Sequence, residues 1–587
     1  MGSSSRKPKE RKAPPPPPAD WTRCHGYLIP KSRYCRQLPA PGTRFCGTHQ
    51  PLSAGNKRKR IPCPIDPSHD VYEDLIAKHV KKCPRQLLLD QQAKLECYKK
   101  NCNSGGHGSS TIFPQSLQCW PADDGGTVEA TPRELTWTWA ETVALAVLRL
   151  HQHVFEEPQS SSPASSVVPT KEARKDLTSE HCTTGTQSAA AADGAALLTQ
   201  KDIETPRLLP VDDAGLEREY APLVEAMAAH RIKSGGPHHQ RQQASLVGHV
   251  RKRSEILRHC NERVTSSVTA GATPPPIPTT TTVLELGAGR GMAGLVVAGV
   301  VAKAAAATHK DRSTTRLIMV ERGASRHNAD KWLRQRDVLV GNDAKNAQSY
   351  LQLHTVQAKR IRCDLAHANM DEILRRQQEE PSDSGGGLNS NELIVVAKHL
   401  CGAGTDLALA SLRNIPAEQY PYQSLTMSTC CHGVCSWNDY VGRDYLGQSM
   451  VEVGGVAVFG TAEFELLRRW SSGTCKVVHQ QTETNAGSSP KGDADRTADD
   501  GGPEDEHNTN DVDNRNDDDF PLSTIVQRLH LRCGEQGLGR ACQRVIDYGR
   551  REYISKELGF QQESSLVYYV SSSVTVQNAL LVARRHL

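Results

Sequence analysis

The chain has 587 residues, of which 5% are aromatic and 23% are charged, and its formal net charge is only +5. No apolar stretch approaches the length that spans a bilayer, and the basic, proline-rich N-terminus lacks the apolar core of a secretory signal. We therefore expect a soluble intracellular protein, in the nucleus, the cytoplasm or both. Its 18 cysteines then need an explanation that suits a reducing compartment, and clustered metal ligands are the first to test.

Residues 1–20 contain a run of five prolines and predict a disordered basic arm. Residues 21–50 then concentrate cysteine, histidine and basic side chains. Soft thiolate and imidazole ligands across proline and glycine turns are typical of a structural zinc site. The predicted ligands are Cys24, Cys35, Cys46 and His49. His25, next to Cys24, is a spare imidazole, so the fourth ligand stays open.

Residues 59–90 contain a second set of zinc ligands, Cys63, His69, His79 and Cys83. A helix predicted over residues 72–82 would place His79 and Cys83 one turn apart on one face. Four protein ligands leave no position for water, so both ions are expected to be structural. The fingers would present to phosphate or to a partner the basic residues Arg33, Arg36, Arg44, Lys78, Lys81 and Lys82. The alternative for both clusters is a set of unrelated thiols and exposed histidines.

Residues 91–154 are interpreted as a connecting segment and residues 155–235 as a mostly low-complexity insertion. Residues 236–587 predict one α/β domain with loose insertions near 262–282, 378–391 and 482–520. Helical segments at 294–307 and 405–412 alternate there with apolar runs of strand length, at 283–286, 317–320, 393–397, 424–427 and 566–570. Such alternation predicts a parallel sheet with helices on both faces.

A candidate cofactor site begins where the strand at 283–286 runs directly into a glycine-rich turn. Glycines let the backbone bend and approach a ligand closely. The next two strand-like runs end in acids: Glu321 can accept both hydroxyls of a ribose, and Asp364 suits an adenine amino group. The residues expected to hold the cofactor are Glu285, Gly287, Gly289, Gly291, Glu321 and Asp364. This order favours an S-adenosylmethionine-dependent methyltransferase over a dinucleotide enzyme, which the turn alone would also permit.

Two further motifs, at 397–407 and 428–435, follow the fourth and fifth strands at the sheet edge where ligands bind. The first also fits a plain strand-to-helix connection, with Thr405 and Asp406 at the helix start. The candidate catalytic residues are His399, His432 and Asp406 as proton acceptors and Lys398, or alternatively Arg550, as a phosphate ligand.

The second motif contains Cys430, Cys431, His432 and Cys435. It fits a third metal site, a substrate pocket or a buried turn with inert thiols. We favour the pocket, because adjacent cysteines in a strand point in divergent directions.

Taken together, these motifs resemble the eukaryotic family of tRNA 2′-O-methyltransferases that modify the ribose of nucleotide four in the acceptor stem. The resemblance covers both fingers and, in order, the stretches 239–248, 285–291, 398–407, 430–435 and 545–550. It implies a Rossmann-like methyltransferase fold, S-adenosylmethionine, two structural zinc ions and a tRNA substrate, with glycine- or histidine-type acceptor tRNAs as one possibility. Glu321 stands where the family usually has Asp, Arg544 where it tends to have Lys, and residues 575–578 replace a Ser-Pro-Glu-Asn pattern, which puts substrate choice in question.

Two alternatives remain open from the sequence. One is a zinc-finger RNA-binding or splicing-associated protein with a degenerate methyltransferase domain, because the second finger also resembles one in a minor-spliceosome protein. The other is a protein or small-molecule methyltransferase. The sequence does not decide between candidate bases or indicate an oligomeric state.

Overall fold

The computed structural model describes these residues: 22–25, 27–28, 33–34, 38–39, 42–46, 60–66, 70–105, 136–156, 212, 236–265, 278, 280–308, 313–323, 329, 333, 355–377, 391–472, 520–561 and 563–586. The predicted ligands Cys35, His49 and His69 lie outside them, as do the N-terminal arm and most of each predicted insertion. The chain divides into two compact units, Met1–Asp90 with Glu506–Asp511 and Gln91–Asp505 with Val512–Leu587.

The first unit contains two small antiparallel hairpins. β1 (Tyr27–Leu28) pairs with β2 (Arg33–Tyr34), and β3 (Arg60–Pro62) pairs with β4 (Asp70–Tyr72). The predicted helix over residues 72–82 is wrong in extent: a 3-10 turn at Glu73–Leu75 leads into α1 (Ile76–Val80), and a turn precedes α2 (Pro84–Gln92). Two short helical pieces replace one helix, so Cys83 lies beyond the end of α1.

The second unit is built on a seven-stranded sheet whose spatial order is β10-β11-β9-β8-β5-β6-β7. The strands are β5 (Thr280–Leu286), β6 (Thr314–Val320), β7 (Val356–Ile361), β8 (Asn391–Leu400), β9 (Tyr422–Thr429), β10 (Glu563–Tyr568) and β11 (Ala579–His586). β5 to β9 are parallel, and β11 runs antiparallel between β9 and β10. The dinucleotide-binding order 3-2-1-4-5-6 lacks such a reversed strand.

Helices cover both faces of this sheet, which confirms the α/β fold class. The helices of the second unit are α3 (Trp137–Glu156), α4 (Pro237–Arg253), α5 (Glu255–Thr265), α6 (Met292–Thr308), α7 (Met370–Arg375), α8 (Ala403–Leu412), α9 (Arg443–Glu452), α10 (Thr461–Ser471), α11 (Leu522–Arg528) and α12 (Gly534–Lys556). No described helix combines enough length and apolar character to cross a membrane.

Successive side chains of a strand point to opposite faces of the sheet, so each strand contributes residues to two hydrophobic cores. Leu284 and Leu286 of β5 pack on one face, while Val283 packs on the other, against α6. A third core joins α3 to the helices of the C-terminal half. The segment 91–154, interpreted from sequence as a connection, thus supplies residues 91–105 and most of α3 to the second unit.

Candidate active site and zinc sites

The carboxyl ends of β5 and β8 lie side by side at the point where the strand order reverses. β5 pairs with β6 on one side and with β8 on the other. Ligands of open α/β sheets bind in the crevice at such a switch point, because the two connections leave in opposite directions. The glycine-rich turn leaves β5 at this position, as the sequence predicts.

All three glycines of the turn adopt left-handed backbone conformations, with φ of 61° at Gly287, 47° at Gly289 and 73° at Gly291. A Cβ at Gly287 would overlap Leu400 Cδ2, so β8 packs directly beneath the turn. A Cβ at Gly289 would meet nothing within 4 Å. The turn is therefore tight against the sheet at its start and open at its centre.

Glu321 follows β6 and faces this turn. Its Oε2 accepts a hydrogen bond of 2.9 Å from the Gly289 N–H, and its Oε1 accepts one of 2.8 Å from the Gly323 N–H. Arg360 of β7 supports the turn from the other side by donating to the Gly289 carbonyl at 3.1 Å. A carboxylate thus stands at the open centre of the glycine bend.

Asp364 lies three residues beyond the end of β7 and caps a short 3-10 helix, Leu365–His367. Its Oδ1 accepts a hydrogen bond of 3.1 Å from the Ala366 N–H, and its own N–H donates to Gln92 Oε1 at 3.4 Å. The predicted adenine-binding role of Asp364 stays a prediction.

Glu285 is only 3% exposed and lies beneath the first turn of α6, where a Cβ on Gly294 would be 2.6 Å from its Oε2. This oxygen has no hydrogen-bond partner among the described residues. Burial raises the pKa of Glu285 to about 8. Glu285 therefore packs beneath the start of α6, next to the glycine turn. Its predicted contact with a cofactor stays a prediction.

Lys398 and His399 lie at the carboxyl end of β8, where a bulge interrupts the pairing with β9 between Ala397 and Leu400. His399 has a positive φ of 65° and is exposed. The pKa of the half-buried Lys398 is lowered to about 8, because the effect of burial outweighs the opposite effect of the nearby Glu285. Bulges next to active sites redirect side chains, and this one brings both residues to the site edge.

Asp406 and His432 are not placed as proton acceptors, contrary to the prediction, because both are buried in one polar network. Arg550 donates to both oxygens of Asp406, at 3.0 and 2.6 Å, and to Asp547 at 3.1 Å. His432 Nε2 lies 2.9 Å from Asp547 Oδ1. Burial raises the pKa of Asp547, but His432 and Arg550 lower it to about 2. Since Arg550 has no exposed surface, it is not available to phosphate either.

Asp547 is not among the residues predicted from the sequence, because it lies 115 residues after its partner His432. Its neighbours close the network: Thr429 donates to Asp547 Oδ2 at 2.9 Å, and Arg550 donates to Cys435 Sγ at 3.0 Å. The stretch 545–550 supplied the only signal, an acid and an arginine three positions apart on one helix face. The network fixes α12 against α8 and the end of β9.

Both finger clusters bring predicted ligands together. Cys63, His79 and Cys83 place their ligand atoms within 4.8 Å of one another, with the two sulfurs 3.8 Å apart. In the first finger, Cys24 and Cys46 are buried, and the Cys46 N–H donates to Cys24 Sγ at 3.1 Å. These residues fit zinc, because thiolate and imidazole are its preferred ligands.

A profile of the family described as methyltransferase TRM13 matches residues 241–584, which is more than half of the chain. The chain belongs to the TRM13 methyltransferase family. Two further profiles match the fingers: the CCCH zinc finger of TRM13 protein at residues 22–50 and the U11-48K-like CHHC zinc finger at residues 60–84. The family and both zinc-finger predictions are confirmed.

Three relatives extend over nearly the whole chain. The tRNA:m(4)X modification enzyme TRM13 of Vanderwaltozyma polyspora is 23% identical over 96% of this chain and 97% of its own length. The Mus musculus homolog is 22% identical over 96% of this chain and 94% of its own. The Saccharomyces cerevisiae enzyme of the same name is 22% identical over 97% of each.

The family profile covers the part of the chain that forms the candidate active site. The TRM13 profile spans α4 to β11 and therefore includes the glycine turn, Glu321, the bulge and the buried Arg550 network. The U11-48K-like match covers the second finger alone. The alternative of a splicing-associated protein with a degenerate methyltransferase domain is not supported.

Proposed function

We propose that this chain transfers a methyl group from S-adenosylmethionine to a ribose 2′-hydroxyl of tRNA, at nucleotide four of the acceptor stem. The observation that carries the proposal is the carboxylate of Glu321 at the open centre of the glycine bend. The relatives named tRNA:m(4)X modification enzymes support tRNA as the substrate class. The ribose and the position come from the family resemblance.

The residues at the switch point fit S-adenosylmethionine. Glu321 can accept ribose hydroxyls, and the glycine turn lets a ligand approach the backbone. Asp364, at the end of the neighbouring strand, is suited to an adenine amino group. When bound, this cofactor supplies an electrophilic methyl group on a sulfonium.

The chain's own contribution to the reaction is positioning and acceptance of a proton. Lys398 and His399 are the two predicted catalytic residues that remain accessible, because the bulge of β8 directs them to the site edge. With its pKa lowered to about 8, Lys398 is partly deprotonated near neutral pH and can accept the hydroxyl proton. We assign Lys398 this role.

Exposed arginines follow three adjacent strands at the same edge of the sheet. Arg290 lies in the turn after β5, Arg322 follows β6 and Arg362 follows β7, and all three are exposed. Arginine side chains bind backbone phosphates and position a nucleic acid without reading its sequence. Together with the exposed Lys78, Lys81 and Lys82 of the second finger, they favour tRNA over a small molecule or a protein.

The test is methyl transfer by the purified full chain, with isotope-labelled S-adenosylmethionine and a tRNA assembled from synthetic halves. We expect label at nucleotide four, and none on a matched tRNA that has a 2′-deoxyribose at this position alone. Equal labelling of both tRNAs, or label on protein only, would contradict the proposal. Lys398→Met should abolish transfer while S-adenosylhomocysteine still binds.

A further inference from the structure

Three cysteine sulfurs meet where β8 and β9 end. Cys401 Sγ lies 3.9 Å from Cys430 Sγ and 3.3 Å from Cys431 Sγ, and all three sulfurs lie within 4.8 Å of one another. Cys430 is 4% exposed, whereas Cys401 and Cys431 are exposed. We call this set the edge thiol cluster; it lies in the second unit, apart in sequence from both fingers.

The backbone departs from regular strand geometry at both segments that supply the cluster. In a continuous strand Cys430 and Cys431 would point to opposite faces, which was the reason to disfavour a metal here. Cys431 instead adopts a left-handed conformation, with φ 52° and ψ 42°, two residues after the end of β9. On the β8 side, the bulge ends at Leu400, which pairs with Thr429, so Cys401 and Cys430 are next in register.

The left-handed conformation of Cys431 is unfavourable for a residue with a Cβ, because the Cβ comes too close to the following carbonyl oxygen. Such conformations persist where the surrounding structure requires them, and they concentrate at functional sites. The left-handed conformation of Cys431 turns its sulfur toward Cys401. The strained backbone at Cys431 therefore brings its thiol close to the thiols of Cys401 and Cys430.

We propose that Cys401, Cys430 and Cys431 bind a zinc ion. With Zn–S bonds of about 2.3 Å, tetrahedral geometry places two sulfurs about 3.8 Å apart. The Cys401–Cys430 distance is 3.9 Å, which is close to the 3.8 Å between Cys63 and Cys83 in the second finger. The Cys401–Cys431 distance is 3.3 Å, so these two sulfurs would move about half an ångström apart on binding the ion. A disulfide, by contrast, needs about 2.05 Å between sulfurs and would leave one of three thiols over.

The other two cysteine-motif candidates do not join the cluster. His432 is bonded to Asp547, and Cys435 accepts from Arg550. Among the described residues the group therefore has three ligands, and a tetrahedral ion with three protein ligands keeps its fourth position for water or a substrate atom.

This position lies beside the glycine bend. Leu400, the residue before Cys401, is the one whose side chain packs under Gly287. The cluster thus adjoins the switch point at which the proposed function places the cofactor, but its metal binding does not depend on that function.

The first test measures zinc per chain in the purified full-length protein by mass spectrometry of the metal, after exchange into metal-free buffer. Cys401→Ser/Cys431→Ser should contain one equivalent less than the unmodified protein. Cys260→Ser, which alters a half-buried thiol remote from the cluster, should lose none. Cys63→Ser/Cys83→Ser should lose one equivalent that is additive with the first. Equal zinc in the edge-cluster variant and the unmodified protein would overturn the proposal.

A second measurement uses the unmodified chain and so does not depend on a variant folding. Alkylation followed by peptide mapping should find Cys401, Cys430 and Cys431 protected together and exposed together once a chelator is added. Immediate alkylation of the exposed Cys401 and Cys431, or a disulfide between them in the isolated protein, would overturn the proposal. A Co²⁺-loaded protein should lose part of its thiolate-to-metal absorption in the edge-cluster variant.

Discussion

Glu321 holds the glycine bend with both carboxylate oxygens, at 2.9 and 2.8 Å from two backbone N–H groups. Its exchange for Ala removes a charged acceptor, and hydrogen bonds to charged groups contribute about 1.5–3 kcal/mol. We expect Glu321→Ala to weaken S-adenosylhomocysteine binding at least about ten-fold by calorimetry. Glu321→Asp, which keeps the carboxylate, should lose less. Unchanged affinity in the Ala variant would show that the cofactor does not use this side chain.

Glu285 makes stability depend on pH. Its folded pKa is raised from 4.5 to about 8, so the folded state holds a proton that the unfolded state releases. The stability from this proton is complete below about pH 4.5 and declines up to about pH 8, by at most about 1.4 kcal/mol per pH unit.

Glu285→Gln keeps the shape of the side chain but does not titrate. In urea unfolding from pH 5 to pH 8, the unmodified protein should therefore lose stability relative to Glu285→Gln as the pH rises. Parallel stability curves for the two proteins would mean that Glu285 is ionised in the folded state.

At the scale of elements, the glycine turn joins β5 to α6 and packs on β8. A methyl group at Gly287 would overlap Leu400 Cδ2, whereas one at Gly289 would meet open space. Overpacking of this kind costs about 1–3 kcal/mol, in addition to the left-handed backbone that both positions share. Gly287→Ala should thus lower the free energy of unfolding more than Gly289→Ala does.

The Gly287→Ala and Gly289→Ala variants also distinguish an effect on folding from an effect on cofactor binding. Gly289→Ala should lose less stability than Gly287→Ala, yet lose S-adenosylhomocysteine affinity, because its methyl group occupies the open centre of the bend. Unfolding curves and calorimetric titrations on the two variants check this. Full affinity in Gly289→Ala would place the cofactor elsewhere.

Arg550 joins α12 to α8 through Asp406 and also contacts Asp547, with no exposed surface on any of the three side chains. Removing one partner of a buried ion pair leaves an uncompensated charge and costs about 3–5 kcal/mol. Arg550→Ala should lower the free energy of unfolding by this amount in urea titrations.

Arg551, the next residue of the same helix, pairs with Glu552 at the partly exposed surface. Arg551→Ala is therefore the matched control, with an expected cost below about 1 kcal/mol. Similar losses in the two variants would contradict the structural role of the Arg550 network.

For the molecule as a whole, the sequence predicted the parallel sheet and the position of the glycine turn, because apolar runs and glycines report local geometry. It did not predict which polar residues are accessible. The local sequence predicts Asp406 as a base, because its partner Arg550 lies 144 residues away and no local pattern marks that contact. The edge thiol cluster is not predicted from the sequence for a similar reason. Cys401 follows a different strand, and the residues next to Cys431 do not indicate its left-handed conformation.

The proposed function is methylation of the ribose of nucleotide four in tRNA. The most direct measurement is nucleotide-resolved mass spectrometry of tRNA from cells that lack the gene for this chain. We predict that the 2′-O-methyl group at nucleotide four is absent, and that the unmodified chain restores it whereas Gly289→Ala does not. An unchanged methyl group at nucleotide four in those cells would contradict the claim.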